Sequence, residues 1–176
     1  MCLLSHISLL RRTSMSIKHY IIEDNFWKSI DDLFLSERFP GIYRLHATDS
    51  HGNFIPLSRA LGVDPNGILY IGTSEVIQDR AANLKKSVCA AYKIIDPAKY
   101  GNLIYGDIGS HQTGKKIVKI PKFVEHFPLS GLCLTVERYL GAANDLKTKD
   151  YGHFVLEKQL LQDYERKYGE KPPLNS

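Results

Sequence analysis

The stretch "GILYIGTSEVIQDRAANLKKS", residues 67–87, decides the fold that this chain is expected to adopt. Its apolar first part predicts a buried strand, and a glycine then leads into apolar residues at helical spacing. The helix is expected to begin at Thr73 or Ser74, which are favoured residue types at a helix N-cap. Its inward-facing stripe is predicted to consist of Ile77, Ala81, Leu84 and Val88.

Two side chains of this stretch are not explained by the formation of a strand and a helix alone. Tyr70 lies at the end of the predicted strand. Arg80 follows Ile77 by three positions, which places it about 60° from the apolar stripe at 3.6 residues per turn. Its guanidinium is therefore expected to reach the edge of the sheet.

Short strand-like runs lie on both sides of this stretch. "GIYRLHAT" (41–48) and "NFIPLS" (53–58) are separated by "DSHG", which is typical of a reversing turn and predicts a hairpin. "DPNG" (64–67) predicts a further turn before the third strand, so that residues 41–72 are expected to form a small antiparallel sheet. Downstream, "GLCLTVERYL" (131–140) alternates apolar and polar residues, as a half-buried strand does.

Helices are predicted near both ends of the chain. "EDNFWKSIDDLFLSERFPG" (23–41) has apolar residues at helical spacing up to Pro40. "GHFVLEKQLLQDYERKYG" (152–169) is a second amphipathic helix, which Gly169 is expected to end. Glu157 interrupts its apolar stripe, and a carboxylate on a core face costs desolvation free energy unless a cation or donors compensate it. That stripe is predicted to consist of Phe154, Leu161, Tyr164 and Tyr168.

The composition is that of a single globular domain. The 176 residues are 43% hydrophobic and 24% charged, and the net charge of +4 permits contact with a polyanion. Cys2, Cys89 and Cys133 are far apart and form no C-x-x-C pair, so neither a disulfide framework nor a zinc site is expected. A reducing cytoplasm fits this cysteine usage. No apolar run approaches the roughly 20 residues of a membrane span.

The first 16 residues, "MCLLSHISLLRRTSMS", contain basic and hydroxyl side chains without acids. This faintly resembles an organelle transit peptide, but the two arginines follow the apolar patch, unlike the order in a secretory signal. A frayed leader without a function is the favoured interpretation, with Met15 as an alternative start. No repeats or low-complexity tracts are present.

Five residues of types that take part in catalysis follow one another in a specific order along the chain. A tyrosine lies in each of the tripeptides "GIY" and "YIG", and an arginine helix, a glutamate helix and a late asparagine follow. This ordered set resembles the GIY-YIG nuclease family over roughly residues 40–175. The resemblance makes 40–176 the nuclease domain and 1–39 a leader with an N-terminal amphipathic helix. The five residues are Tyr43, Tyr70, Arg80, Glu157 and Asn175.

The resemblance implies an α/β (α+β) fold with a small central antiparallel sheet of about three strands flanked by helices. It implies a divalent-metal-dependent endonuclease acting on DNA. Glu157 would hold Mg²⁺, with Mn²⁺ as an alternative, and Arg80 would donate a forked pair of hydrogen bonds to a phosphate. Tyr43 would be the general base, which requires the metal or nearby cations to lower a phenol pKa of about 10. Tyr70 would orient the water or phosphate, and Asn175 would position the site.

The chain departs from the family pattern in two places. The interval between the tripeptides, residues 44–69, is unusually long, which a longer hairpin explains. Leu84 stands where many members carry a histidine one turn after the arginine. A substitute could come from His111, Lys93 or Arg59, so the activation of the nucleophile is the step in question.

Lysines offer candidate contacts to a nucleic acid. Lys85 and Lys86 are expected to face solvent, and "GKKIVKIPK" (114–122) lies in a segment, 96–128, to which no regular structure is assigned. A solvated loop is the plainer interpretation of that lysine-rich run. The candidate contacts are Lys85, Lys86, Lys115, Lys116 and Lys119.

A non-catalytic nucleic-acid-binding or protein-interaction module on the same fold is the alternative. In that case the tyrosines are packing residues, and Arg80 pairs with Glu157 without a metal. An unrelated α/β enzyme has little support, because the chain contains no P-loop, no G-x-G-x-x-G and no G-x-S-x-G motif. Repair, restriction, and mobile-element or phage roles fit the sequence equally.

Overall fold

The computed structural model describes residues 18–21, 38–104, 106–138 and 152–176. The predicted leader and nearly all of the predicted first helix lie outside the described residues. Within the described ranges, no helix is both long and apolar enough to cross a membrane.

A four-stranded sheet forms the centre of the fold. Its strands lie in the order β1 (Lys18–Ile21), β6 (Leu132–Arg138), β2 (Gly41–Ala47) and β5 (Ile68–Ser74), and all neighbours are antiparallel. The predicted small antiparallel sheet flanked by helices is confirmed. It has one strand more than expected, since β1 joins it from upstream of residue 40.

The strands that carry the two tripeptides are direct neighbours. In the β2–β5 pairing Tyr43 lies opposite Gly72 and Leu45 lies opposite Tyr70. The reversal predicted between residues 41–48 and 53–58 is present, but it forms a single antiparallel bridge and not a two-stranded hairpin, because β2 is already paired with β5 on one edge and β6 on the other. Across that turn there remains an isolated bridge between Thr48 and Phe54.

The long interval between the tripeptides forms a small hairpin of its own. Strands β3 (Leu57–Arg59) and β4 (Gly62–Asp64) pair with each other outside the main sheet. The insertion therefore leaves the pairing of β2 with β5 intact.

Helix α1 (Ile77–Ile95) packs on the sheet face that bears Tyr43. It begins later than Thr73 or Ser74, because β5 extends to Ser74 and the Ser74 hydroxyl accepts a hydrogen bond from the Val76 backbone N–H at 3.1 Å. The predicted inward stripe is confirmed as Ile77, Ala81, Leu84 and Val88, all of which are buried.

Residues 96–128 contain three short helices, α2 (Pro97–Tyr100), α3 (Gln112–Ile117) and α4 (Phe123–His126). A 3₁₀ turn at Leu129–Gly131 then leads into β6. The lysine-rich run is therefore partly helical.

Helix α3 lies against a second side of α1. The Ser87 hydroxyl donates to the His111 carbonyl at 2.6 Å and accepts from the Gly114 N–H at 3.1 Å. The prediction that Lys85 faces solvent is wrong. Lys85 is only 2% exposed and lies about 40° around α1 from the buried Ala81, at the border of the stripe that packs on the sheet.

Helix α5 (Gly152–Tyr168) packs on the opposite sheet face, where it forms a second apolar cluster with Ile68 and Ile71. Phe154, predicted to face inward, is 56% exposed because it lies one turn beyond the part of α5 that contacts the sheet. Gly169 ends the helix with φ = 78°, a left-handed conformation that glycine adopts without strain. That part of the prediction is confirmed.

A buried carboxylate joins α5 to the turn before β5. Asp64 is fully buried, and its Oδ2 accepts hydrogen bonds from the Ile68 N–H at 2.8 Å and from the Tyr164 hydroxyl at 2.9 Å. Burial and the neighbouring Asp64 raise the pKa of Tyr164, so this phenol stays protonated and remains a donor. This contact and the Leu61 N–H, which donates to the Tyr168 carbonyl at 3.0 Å, hold the insertion hairpin to α5.

We expect Tyr164→Phe to lower the free energy of unfolding by about 1–3 kcal/mol, because the buried carboxylate of Asp64 loses a donor. Urea denaturation measures the change. Tyr168→Phe is the matched control, since within the described part of the chain its hydroxyl makes no hydrogen bond. Equal effects of the two substitutions would contradict this account.

Candidate active site

The glycines of both tripeptides are required by close contacts. The Tyr43 ring lies directly over Gly72, and a Cβ at position 72 would be 2.4 Å from the Tyr43 hydroxyl oxygen. A Cβ at Gly41 would be 2.5 Å from the Glu137 carbonyl oxygen. Both distances are far below any normal contact, so side chains are excluded at these two positions.

Tyr43, Tyr70, Arg80 and His111 form what we call the tyrosine cluster. The Tyr43 oxygen lies 3.0 Å from His111 Nε2 and accepts a hydrogen bond from Arg80 Nε at 3.2 Å. The ring centre of Tyr70 is 5.8 Å from that of Tyr43 and 5.3 Å from that of His111. Tyr43 has no exposed surface, and Arg80 is partly exposed at the rim of the cluster.

Burial controls the charges of the cluster. It raises the pKa of Tyr43 well above the usual value, helped by Tyr70 and opposed by the charge of Arg80. Burial likewise raises the pKa of Tyr70, and the charge of Glu157 adds to that rise. Burial lowers the pKa of His111 to about 3, and the positive charge of Arg80 contributes to this lowering. At neutral pH the cluster therefore holds neutral phenols, a neutral imidazole and the cation of Arg80.

Glu157 lies at the rim of this cluster and is held by the sheet. Its Oε2 accepts hydrogen bonds from the Thr73 N–H at 3.0 Å and from the Thr73 hydroxyl at 3.3 Å. These two hydrogen-bond donors compensate the desolvation cost of placing the Glu157 carboxylate on the apolar stripe of α5. The described residues contain no direct ion pair between Glu157 and Arg80, so the simple structural pairing of the two is not present.

A cation at this rim would have one protein carboxylate as its ligand. In the described part of the chain, no three His, Cys, Asp or Glu side chains come together as a metal-binding group. Both hydrogen bonds from Thr73 to Glu157 use Oε2, so Oε1 is the oxygen that could bind a cation. One carboxylate with waters and substrate phosphate oxygens is a donor set that suits Mg²⁺.

Asn175 holds the outer edge of β5 and does not enter the cluster. Its Oδ1 accepts from the Ile71 N–H and its Nδ2 donates to the Ile71 carbonyl, both at 2.8 Å. The Leu174 N–H donates to the Leu69 carbonyl at 3.0 Å. Asn175 therefore acts on the site through the strand that carries Tyr70, consistent with a positioning role.

Of the three suggested substitutes for the missing histidine, only His111 lies in the cluster. Arg59 donates to the Ile68 carbonyl at 2.8 Å and lies 3.9 Å from the Glu170 carboxylate. Lys93, near the other end of α1, donates to the Leu103 carbonyl at 2.7 Å. Both contacts are structural, and the structure does not bring either residue to Tyr43.

The predicted nucleic-acid lysines divide by exposure. Lys115 and Lys119 are exposed, Lys86 is half-buried, and the buried Lys85 is not available to a polyanion. Lys116 donates a hydrogen bond to the Ser176 carbonyl, so it lies beside the tail that holds β5. The exposed lysines therefore lie on α3 and in the turn that follows it.

Thr73 and Thr113 hold two candidate site residues, and the sequence analysis did not identify either of these contacts. Thr73 binds Glu157 with its backbone N–H and its hydroxyl, and the Thr113 N–H donates to His111 Nδ1 at 3.2 Å. The only sequence signal was the position of Thr73 directly after "YIG". A donor pair for a distant glutamate cannot be inferred from that position alone.

No family model matches the chain, and neither a curated protein nor a solved structure matches it. The family resemblance thus stays a prediction that rests on the residues described above.

We expect Gly72→Ala to lower the free energy of unfolding by about 1–3 kcal/mol, because the added methyl group overlaps the Tyr43 ring. Gly106→Ala is the control, since its Cβ would lie 3.5 Å from Ala90 in ordinary contact. It should change stability by less than about 0.5 kcal/mol. Urea unfolding of both variants measures this difference, and a harmless Gly72→Ala would mean that Tyr43 does not lie over the glycine.

Proposed function

We propose that this protein is a metal-dependent endonuclease that hydrolyses phosphodiester bonds in DNA. The observation that carries the proposal is the joint placement of Arg80, two buried tyrosines and an anchored carboxylate at one rim of the sheet. A cation and a carboxylate that do not neutralise each other directly suit a phosphate and a metal as their separate partners.

Each residue has a distinct task in the proposed reaction. Arg80 donates to the phosphate and balances the charge that builds on its oxygens in the transition state. Tyr70 is 7% exposed, its ring centre is 5.8 Å from that of Tyr43, and it orients the attacking water or the phosphate. The deprotonated form of Tyr43 accepts the proton of that water, and Asn175 keeps β5 and hence Tyr70 in place.

Glu157 would hold the divalent cation, Mg²⁺ or alternatively Mn²⁺, through Oε1. A bound cation of this kind supplies charge neutralisation at the phosphoryl and leaving oxygens. The Thr73 donors hold the carboxylate through Oε2, so Oε1 would be the atom that binds the cation. A residue of β5 therefore positions the carboxylate that would bind the metal.

The burial of Tyr43 favours a second candidate function. Its hydroxyl has no exposed surface, so base catalysis requires substrate binding to open the cover above it. A non-catalytic nucleic-acid-binding or protein-interaction module would keep Tyr43 as a packing residue. It would bind DNA through exposed lysines such as Lys115 and Lys119 in a salt-sensitive manner, without cleavage.

The decisive experiment is cleavage of a supercoiled plasmid with Mg²⁺, with Mn²⁺ and with chelator. We expect metal-dependent nicking that falls at least about 100-fold in Glu157→Gln and in Arg80→Ala, because each removes a charge from the transition state. Glu125→Gln, which changes an exposed carboxylate on α4, is the control and should cut at the wild-type rate.

Circular dichroism establishes that each variant is folded. Wild-type rates in either site variant would refute the site assignment. DNA binding that tolerates Glu157→Gln, with no nicking on plasmid or branched substrates, would favour the binding module.

The pH dependence tests Tyr43 as the general base. Because its pKa is raised, the deprotonated form becomes more abundant throughout the accessible alkaline range. The single-turnover rate should therefore rise about tenfold per pH unit between roughly pH 6 and pH 9 without a plateau. A plateau above about pH 6.5 would instead assign the base to a group with an ordinary histidine pKa.

A further inference from the structure

His111 makes two hydrogen-bonded contacts with different consequences. Its Nδ1 accepts from the Thr113 N–H at 3.2 Å, which makes the side chain the N-cap of α3. Its Nε2 lies 3.0 Å from the Tyr43 oxygen. The ring is only 2% exposed, so both contacts are shielded from water.

The first contact determines the direction of the second. A neutral imidazole carries one N–H and one acceptor nitrogen. Because Nδ1 accepts from Thr113, the proton of His111 must be on Nε2. Nε2 therefore donates to the Tyr43 oxygen, and the low pKa of His111 keeps the ring in this neutral form.

The Tyr43 oxygen then receives two donors, His111 Nε2–H and Arg80 Nε–H. Both lone pairs of the phenol are occupied, so its own proton must point in a third direction, and hydrogen bonding with Tyr70 is one influence on its pKa. The orientation of Tyr43 is thus set by one group from α1 and one from the start of α3.

We infer that His111 is a positioning residue, and that it acts as a hydrogen-bond donor to Tyr43 and not as a proton acceptor. This inference rests on the proposed nuclease function. It also gives α3 a role in the site, because the residue that begins the helix is the one that orients the phenol.

Two substitutions separate the capping role from the positioning role. His111→Asn keeps a favoured N-cap type that can accept from Thr113, but its side chain is too short to reach Tyr43. His111→Gln extends its amide N–H toward Tyr43 but is a weaker cap. A structural role alone predicts that the Gln variant is the more impaired, whereas a positioning role predicts the reverse for catalysis.

We expect His111→Asn to melt closer to the wild type than His111→Gln does, because it keeps the cap, and to lose about 10- to 100-fold in kcat, with KM changed less than about twofold. His111→Gln should recover most of the lost kcat despite a lower melting temperature. His51→Asn, at an exposed turn position, is the control and should leave both quantities unchanged. Wild-type kcat in folded His111→Asn would overturn the inference.

A second measurement does not depend on cleavage. In ¹⁵N NMR of the histidine rings, the signal lost in His111→Asn identifies His111 among the seven histidines. We expect it to show a protonated Nε2 that shifts in Tyr43→Phe, and a protonated Nδ1 would overturn the inference. If the wild type cut no DNA while the NMR signature held, the proposed nuclease function would fail and the donor geometry would stand.

Discussion

The rest of the structure depends on the antiparallel pairing of β2 with β5, in which the Tyr43 ring lies across Gly72. This register places Tyr43 and Tyr70 on the same face of the sheet, beneath α1. Because side chains alternate along a strand, a slip of β5 by one residue would turn Tyr70 toward α5 and away from Arg80. The absence of a side chain at Gly72 makes the observed register sterically specific. The site is therefore a direct product of how two strands fit.

Burial and charge act against each other at this site. The tyrosine cluster is water-shielded, so burial raises the phenol pKa values and Arg80 offsets only part of that effect. The one cation of the cluster faces the rim, and the nearby carboxylate of Glu157 is occupied on one oxygen by Thr73. An arrangement of this kind suits partners that bring their own opposite charges, a phosphate for the guanidinium and a metal for the carboxylate. Binding of a phosphate and a metal would then alter the protonation of Tyr43 most.

The outer edge of β5 connects stability with the proposed chemistry. Backbone groups at Leu69, Ile71 and Thr73 are satisfied in turn by Leu174, Asn175 and Glu157. An unpaired edge would invite pairing with another chain, and here side chains and a tail occupy it instead. Glu157 and Asn175 consequently have a structural task that is independent of any reaction. Loss of either residue affects the strand as well as the site, which is why folded-state controls belong beside every rate measurement.

The sequence by itself determined the elements with strong local signals: the strands of "GIY" and "YIG", the apolar stripe of α1, and the helix that ends at Gly169. Periodicity and turn chemistry report on a residue relative to its own helix or strand, so these features were predictable. Only the tertiary structure decided which strand occupies each edge of β2, that Lys85 is buried, and that His111 meets Tyr43 from 68 positions away. Those outcomes follow from contacts between helices and strands that are distant in the chain, and local sequence patterns do not specify such contacts.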